Sequence, residues 1–561
     1  MELMDDEYKI KNIAGYLAKV FLTNPLTMIL GISIIALGYI ALIMMPREED
    51  PQIQVSGGSV IVAMPGASPK EVTNVIIKPL ERRLSEIKGV DNIYSVAMNN
   101  FAMVNVQYVI GENRESSNLK LYDKVMQNMD SLPGGTMPPL VKPFDIDIDV
   151  PILTIAFYKK GDTNIGNIEL YKKIRDLQQD INAIENVSKS NLKGAKRPQF
   201  NVMIDLDKLS GYHISLGQVA QSIKSISTNA PDIDSPTSGD SLIVFGIKNA
   251  IEDIDDLKHL IIAQYMNSPI YLKDISKVEY SYDIQNFKSA SLTFTEDNKT
   301  TEAGDQITME VSKLKGTNAV TIAENVIDRL KESKDELEQY GVGYIITRNY
   351  GERANEAVNE LVHHLLLTIF IISLILIPFL GWRESLVVTI AVPMILAATL
   401  FLAMMTDQTI NRITLFAFLL SLGLIVDDAI IVIENIHRHM HLESAKGKNF
   451  NQIIIEATDE IGPSTNVATI AIMLTMIPMA FVGGMMGQFM LPIPLNVPVA
   501  LAVSLFVAYV FTPYLAKMFI KQPTHNHDED NDKKKTDKKD ILKSSFNKVI
   551  NTAKMVAKWK K

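Results

Sequence analysis

Residues Ile413–Asn435 read ITLFAFLLSLGLIVDDAIIVIEN, an apolar stretch of membrane length that contains two adjacent aspartates, Asp427 and Asp428. A carboxylate at the bilayer centre costs about 2.5–3.5 kcal/mol even on the insertion scale, and ionisable residues at that depth usually mark ion pathways. Since successive helical residues differ by about 100°, both carboxylates can face one polar seam. The pair predicts proton-coupled work in a membrane; the alternative is an inert acid pair held by hydrogen bonds.

Five further segments have the length and the absence of charge that a membrane span requires, about 20 apolar residues. With the quoted stretch included, the predicted spans are Pro25–Met45, Leu361–Leu380, Leu386–Met405, Ile413–Ile433, Val467–Val482 and Val497–Ala516. Lysine and arginine are concentrated after the second, fourth and sixth spans, and such loops usually stay in the cytoplasm. We therefore expect both chain ends in the cytoplasm, residues 46–359 outside, and spans 2–6 within residues 360–520.

The region between the first two spans has the composition of a folded soluble protein and repeats the order strand, helix, strand, strand. The first copy is predicted at Gly57–Met64, a helix capped by Ser68 and Glu71, Asp91–Ala97 and Ala102–Ile110. The second is predicted at Ile152–Tyr158, Ile168–Ile184, Val187–Leu192 and Gln199–Leu206, and a partial third at Ile307–Lys313, Ala319–Leu337 and Val342–Arg348. Such repeats indicate ferredoxin-like α+β units, with residues 232–290 as an inserted module.

An amphipathic helix is predicted near each end of the chain. In residues 8–22, directly before the first span, the apolar face consists of Ile10, Ile13, Leu17, Val20 and Phe21. Residues 541–559 are predicted to form a similar helix after a charged linker, Gln522–Asp540, within the segment 521–561. Because the second helix resembles the first, we expect the chain to stop at the opening of a second repeat.

The composition excludes several classes of function. The net charge of −9 argues against nucleic acid as the main partner, and the absence of cysteine excludes disulfides and thiolate metal sites. The sequence contains no nucleophile–base pattern and no nucleotide motif, so we expect no enzyme activity and no cofactor beyond the proton gradient. Three groups of residues resemble metal sites but are better explained otherwise. Asp145, Asp147 and Asp149 fit one face of a strand, and His525 and His527 fit a solvated linker. Met485, Met486 and Met490 fit apolar filler.

The residues around the aspartates resemble a known motif. The pattern Gly423-x-x-x-Asp427-Asp428, followed by Glu434-Asn435, is similar to the fourth-span motif of the resistance–nodulation–division (RND) efflux permeases. Further similar segments are Pro46–Ile53, Pro65–Pro69, Pro79–Glu81 and Gly89–Val90. The resemblance therefore extends over essentially the whole chain.

The resemblance implies a trimer in a bacterial inner membrane that exchanges protons for drugs or other amphiphilic compounds. It also implies a periplasmic location for residues 46–359, a periplasmic adaptor protein and an outer-membrane channel as partners, and a docking role for residues 232–290. Asp427 and Asp428 would form the proton relay. Gly423 would serve helix packing or support the relay, and Glu434 and Asn435 would either hold water on the proton path or lie at a solvated helix end.

The resemblance covers only the first half of a family whose members usually have twelve spans in a tandem repeat. In that family the aspartates pair with a lysine from the second half, and these 561 residues hold no such lysine. The leading interpretation is the N-terminal half of a permease that works with a C-terminal-half chain. Two alternatives stay open: a half-size transporter built from identical copies, and a non-transporting regulatory or assembly subunit of a full pump.

Overall fold

The structure, a computed structural model, describes residue 8 and residues 10–144, 149–161, 165–226, 233–235, 243–245, 253–266, 268–283, 288–296, 299–304, 306–445 and 448–520. Four expectations lie outside these residues: the helix at 541–559, its linker, the two histidines of that linker, and the strand face that includes Asp145 and Asp147. The described part combines a bundle of long helices with a mixed helix–sheet region inserted after the first of them.

Six helices of the described chain are long and apolar enough to cross a membrane. They are spans 1–6: Leu26–Met44, Tyr350–Leu380, Trp382–Met405, Arg412–Met440, Phe450–Ala480 and, after a short helix at Gly484–Met490, Pro492–Phe519. The predicted fold class, a six-span α-helical membrane protein with an α+β insertion, is confirmed. Pro492 and Pro494 mark the start of span 6, which follows the helix break after Met490. They lie in the first turn of span 6, where backbone N–H groups have no intrahelical acceptor.

Spans 2 and 5 begin well before the apolar windows that predicted them. Asn349 caps span 2 by accepting a hydrogen bond from the Glu352 N–H at 3.1 Å, and Asn449 caps span 5 in the same manner through the Asn451 N–H at 3.2 Å. The first turns of both helices carry many polar residues. Hydropathy detects only the apolar part of such helices, so it could not locate these starts.

Span 6 packs against spans 3, 4 and 5, and span 1 packs on span 3. Spans 1 and 3 come so close that a Cβ atom added to Gly38 would lie 2.3 Å from the Cβ atom of Ala397. Helix association in lipid relies on close van der Waals packing, which small residues permit. Gly38 is therefore required by the approach of the two backbones.

The N-terminal helix, Ile13–Leu22, packs against spans 5 and 6. Of the predicted apolar face, Leu17 and Phe21 pack against the bundle core. Ala14, Ala18 and Leu22 are fully buried, whereas Ile13 is 71 % exposed. The predicted face included Ile13 and left out Ala14 and Ala18, because only large apolar side chains were assigned to it. Beside a membrane, small residues favour contact with neighbouring helices and large apolar residues can face the lipid boundary.

The soluble region folds into small antiparallel sheets. Its described strands are β1 (Gly57–Ala63), β2 (Val90–Met98), β3 (Phe101–Tyr108), β4 (Leu140–Phe144), β5 (Leu153–Lys159), β6 (Val187–Lys193), β7 (Pro198–Ile204), β8 (Ile233–Ser235), β9 (Ile243–Phe245), β10 (Ile261–Tyr265), β11 (Ser268–Tyr271), β12 (Ser276–Tyr282), β13 (Leu292–Glu296), β14 (Lys299–Ala303), β15 (Gln306–Lys313) and β16 (Val342–Asn349).

The first unit places β1 to β4 in one sheet of order β2-β3-β1-β4. The predicted capping box is present: the Ser68 N–H donates to the Glu71 carboxylate at 2.9 Å, and the Glu71 N–H donates to the Ser68 hydroxyl at 3.4 Å. The helical stretch that this box opens continues to Leu84, and a second helix, Arg114–Gln127, follows β3. The chain therefore has the β-α-β-β-α-β connectivity of a ferredoxin-like unit.

The second unit has the same connectivity, built from β5, β6, β15 and β16 in the order β16-β5-β15-β6. Its helices are Asn167–Asn182 and Ala319–Glu332. The prediction of three copies was wrong, because the elements assigned to a partial third copy complete the second one. The strand predicted at Gln199–Leu206 also does not join this sheet: β7 pairs with β12 instead.

A separate module separates β6 from β15 and is larger than the predicted 232–290. It extends from β7 to β14 and contains the strand pairs β7–β12, β8–β9, β10–β11 and β13–β14. Its small core includes Leu209, Val219, Leu272 and Ile275, all buried. The sequence located the module but not its bounds, since β7 reads like a continuation of the preceding unit.

Glu49, which follows span 1, offers a test of this fold at the base of the soluble region. One of its carboxylate oxygens is buried without a hydrogen-bond partner among the described residues. Burial raises the pKa of Glu49, although Arg353, 3.5 Å away, opposes the rise. Because the folded-state pKa is raised, the charge destabilises the fold at neutral pH, and this effect fades as the pH falls through the folded-state pKa.

We therefore expect Glu49→Gln to raise the melting temperature modestly at pH 7. The difference from the wild type should vanish below about pH 4, where both states bind the proton. Melting curves of the detergent-solubilised protein at a series of pH values measure this. A lower melting temperature for the variant at pH 7 would contradict the assignment.

Candidate proton-relay site

Asp428 is buried near the middle of span 4, about 20 Å of helix from either end. The residue is 4 % exposed. The Thr469 hydroxyl of span 5 donates to its Oδ1 atom at 3.1 Å. Ser504 of span 6 lies beside the same carboxyl group and donates its hydroxyl to the Ile425 carbonyl oxygen at 2.8 Å. The Oδ2 atom is buried and has no hydrogen-bond partner in the described chain.

Asp427 lies on a different face of span 4, and it is exposed. The expectation that both aspartates face one seam was wrong for this chain. The turn of about 100° per residue directs Asp428 towards spans 5 and 6 and Asp427 away from them. The face that carries Asp427 is exposed along the helix; we call it the open face, and its residues are Phe416, Leu420, Gly423, Asp427, Ile431 and Glu434.

Gly423 lies one turn before Asp427 on the open face. No atom lies within 4 Å of the position that a Cβ atom would occupy there. The contact with a neighbouring helix that was predicted for Gly423 is therefore not made by the part of the chain that the structure describes. The described residues therefore leave the surface beside Asp427 uncovered on this side.

Glu434 and Asn435 differ sharply in environment. Glu434 is exposed, as a solvated helix end predicts. Asn435 is 5 % exposed, so that interpretation was wrong for this residue. Its amide nitrogen donates to the Ala457 carbonyl oxygen at 2.7 Å, and its oxygen accepts a bond from Arg438 Nε at 2.9 Å. Asn435 therefore ties span 4 to span 5.

The same end of the bundle holds a further link between these helices. Arg438 donates to both carboxylate oxygens of Glu460 at 2.8 Å, and His439 binds the same carboxylate. Both bonds come from the Nη2 atom of Arg438, and hydrogen bonds between charged groups are stronger than those between neutral groups. The ends of spans 4 and 5 that lie away from the soluble region are thus held together by side chains.

Sequence reasoning missed the polar residues of spans 5 and 6 around Asp428. Tyr509 is 3 % exposed and donates its hydroxyl to the Asn466 side-chain oxygen at 2.9 Å. Thr465 is also buried and interacts with Tyr509. A signal for them existed: within the uncharged run from Ile461 to Ala516, polar side chains recur at helical spacing through Thr465, Asn466 and Thr469.

This arrangement can hold a proton or release it. Hydroxyl groups donate to a carboxylate and accept from a carboxylic acid, so Thr469 can serve Asp428 in both protonation states. Ser504 donates its proton to Ile425, and its oxygen can accept from the acid form of Asp428. The unpartnered Oδ2 atom gives the added proton a place. In the described residues, no group of three or more His, Cys, Asp or Glu side chains is arranged to hold a metal ion.

The six-span bundle, the buried acid and the two α+β units inserted after span 1 define a polytopic membrane protein of the permease class. Residues 17–557 match the sequence model of the AcrB/AcrD/AcrF family, and the chain belongs to this family of RND permeases. It is 26 % identical, over 571 aligned positions, to the swarming motility protein SwrC of Bacillus subtilis (strain 168). The alignment covers 95 % of this chain and 52 % of SwrC, so the chain spans about half the length of that relative.

Proposed function

We propose that this chain forms the N-terminal half of a proton-driven efflux permease that exchanges protons for drugs or other amphiphilic compounds. The observation that carries the proposal is Asp428, an acid buried at mid-span among hydroxyl groups of spans 5 and 6. A buried acid without a use would only weaken the bundle. Family membership supports export as that use, and the absence of a nucleotide motif supports the proton gradient as the energy source.

The open face of span 4 supports a second protein surface as part of the working unit. Asp427 would otherwise meet lipid near the bilayer centre, where an isolated carboxylate is unfavourable. The resemblance favours a C-terminal-half chain that presents a lysine to the aspartates. A second identical copy is the alternative, and it would make the protein a half-size transporter.

Cross-linking from the open face tests this partner. The chain contains no cysteine, so Leu420→Cys creates a unique attachment site for a photoreactive maleimide in native membranes. We expect a protein adduct from this position. Leu474→Cys on span 5, where the native side chain is 57 % exposed, is the matched control and should label lipid.

The adduct also separates the alternatives. A second, different polypeptide or segment identified by mass spectrometry supports the two-half permease, and a dimer of this chain supports the half-size transporter. If position 420 labels only lipid, as position 474 should, the open face has no protein partner and the proposed working unit is wrong.

The proposed setting is a bacterial inner membrane, with both chain ends in the cytoplasm and residues 46–359 in the periplasm. A trimer, a periplasmic adaptor protein and an outer-membrane channel are proposed on the strength of the family alone. The energy source has a direct test: cells that express the complete unit are loaded with a cationic dye, and a protonophore is added while ATP is kept constant. Efflux should stop; continued efflux would refute proton coupling.

A further inference from the structure

A buried ion pair joins the loop after span 1 to the second β-sheet unit. Glu48 and Lys313, at the end of β15, have side chains only 5 % and 7 % exposed, and the Lys313 ammonium lies 2.5 Å from Glu48 Oε1. Gln52 also donates to Oε1, at 2.8 Å. Thr409, in the loop between spans 3 and 4, donates to Oε2 at 3.2 Å. One carboxylate therefore binds the soluble region and the membrane bundle at once.

Backbone hydrogen bonds reinforce this contact. The Glu48 N–H donates to the Ile410 carbonyl oxygen at 3.0 Å, and the Ile410 N–H donates to the Pro46 carbonyl oxygen at 2.9 Å. The Arg412 N–H donates to the Glu49 carbonyl oxygen at 3.1 Å. Arg412 is the first residue of span 4. The loop after span 1 is thus bonded to the start of the helix that carries both aspartates.

Arg47 adds two links on the other side of the same loop. Its carbonyl oxygen accepts a bond at 3.0 Å from the N–H of Ala319, the first residue of a helix in the second unit. Its guanidinium donates to the Asn355 side-chain oxygen of span 2 at 2.7 Å. Residues 46–52, which we call the junction segment, therefore connect span 2, span 4 and the second β-sheet unit.

We propose that the junction segment, through the Glu48–Lys313 pair, couples the protonation state of span 4 to the position of the second β-sheet unit. This inference rests on the proposed proton-driven export. A displacement at the start of span 4 passes through Thr409 and Ile410 to Glu48, and from there to Lys313. Glu48 and Lys313 are positioning residues, since neither touches the aspartates.

The chemistry of the pair suits this task. A buried ion pair is favourable only while its geometry and its additional hydrogen bonds are kept, so β15 and the loop between spans 3 and 4 are held in one relative position. An apolar contact of the same area would lack that directional requirement, because hydrophobic burial is non-directional. Contiguous networks of this kind can carry coupling between sites that are far apart.

The test replaces the charged pair by neutral groups of similar size, Glu48→Gln with Lys313→Met, in the complete unit expressed in its native host. Removing both charges avoids an unpaired buried charge, so the chain should still accumulate in the membrane. We expect efflux to fall at least tenfold. Labelling of Asp428 by a membrane-soluble carbodiimide, which reacts with protonated carboxyl groups, should keep its wild-type pH dependence.

A matched control is the exposed pair Lys160 and Glu338, 3.0 Å apart in the same unit; Lys160→Met with Glu338→Gln should leave efflux unchanged. Thr409→Val is a second probe, because it removes the side-chain hydrogen bond from the membrane bundle to Glu48 and keeps the ion pair and the backbone bonds. It should lower efflux severalfold. Wild-type efflux in either the neutral pair or Thr409→Val overturns the coupling role. Loss of proton dependence in the wild type would instead refute the proposed function.

Discussion

Asp428→Asn is expected to reduce drug efflux to the level of cells that lack the chain, while the amount of protein in the membrane stays unchanged. Asparagine has nearly the same shape and can still accept the hydrogen bond of Thr469, which is 3.1 Å long in the wild type. It cannot take up and release a proton. Because a buried charge is removed rather than created, the bundle should assemble normally. Survival on a graded series of amphiphilic drugs, with membrane abundance measured in parallel, provides the readout.

A matched substitution in the same chain controls for the chemical change. Asp407 is exposed after span 3 and has a φ of 53°, a conformation that asparagine tolerates as well as aspartate does. Asp407→Asn should therefore behave like the wild type. Wild-type drug tolerance with Asp428→Asn would remove the relay, and the regulatory-subunit alternative would then be favoured.

Asp459→Ala is expected to detach the N-terminal helix from span 5 and to lower the free energy of unfolding by about 3–5 kcal/mol. Asp459 is 1 % exposed and accepts bonds from the Tyr8 hydroxyl at 2.9 Å, the Lys11 N–H at 2.9 Å and the Asn12 N–H at 3.1 Å. Alanine leaves these three donors without an acceptor. A lower melting temperature and faster tryptic cleavage after Lys11 would report the loss.

The Tyr8 bond should persist across the physiological range. Burial and the hydrogen bond to Asp459 raise the pKa of Tyr8 to about 12. Its contribution to stability is therefore fully present below the unfolded-state pKa near 10 and is lost as the pH rises through about 12. Glu460→Gln is the control for Asp459→Ala, because that side chain is 49 % exposed and exposed pairs contribute at most about 1 kcal/mol. An equal loss of stability in both variants would contradict the anchoring role of Asp459.

Hydropathy predicted the number of spans because the apolar part of each span lacks charge, apart from Asp427 and Asp428 in span 4. It failed where a helix leaves the membrane, as span 5 shows: its first turns carry the buried Asp459, and no apolar window includes them. The prediction of the buried face of the N-terminal helix was incomplete for a related reason. Ala14 and Ala18 contact the bundle together with Leu17 and Phe21, and a rule that selects only large apolar residues cannot identify the alanines when lipid is part of the solvent.

Strand periodicity located most strands of the soluble region but not their partners. The elements before the inserted module and the elements after it have the same order: strand, helix, strand. For this reason β15 and β16 looked like the start of a new repeat. Their pairing with β5 and β6 is a contact between residues far apart in sequence, which local patterns do not encode. The pairing of β7 with β12 escaped prediction for the same reason.

The aspartates themselves were evident from the sequence, because charge inside an apolar span is rare. Their separation onto two faces of span 4 was not evident from the sequence, because the neighbouring helices decide which face is covered. Thr469, Ser504 and Tyr509 are uncharged, so a search for charged residues within the spans could not identify them. Only the packing of spans 5 and 6 against span 4 assembles these hydroxyl groups around one carboxyl.

Substrate-driven proton movement in proteoliposomes tests the central claim most directly. The complete unit is purified from its native membrane, reconstituted with a pH gradient, and followed with a pH-sensitive dye while an amphiphilic drug is added. We predict that the drug accelerates collapse of the gradient in the wild type and has no effect in Asp428→Asn. Equal rates of collapse in the two proteins, with and without the drug, would contradict this prediction.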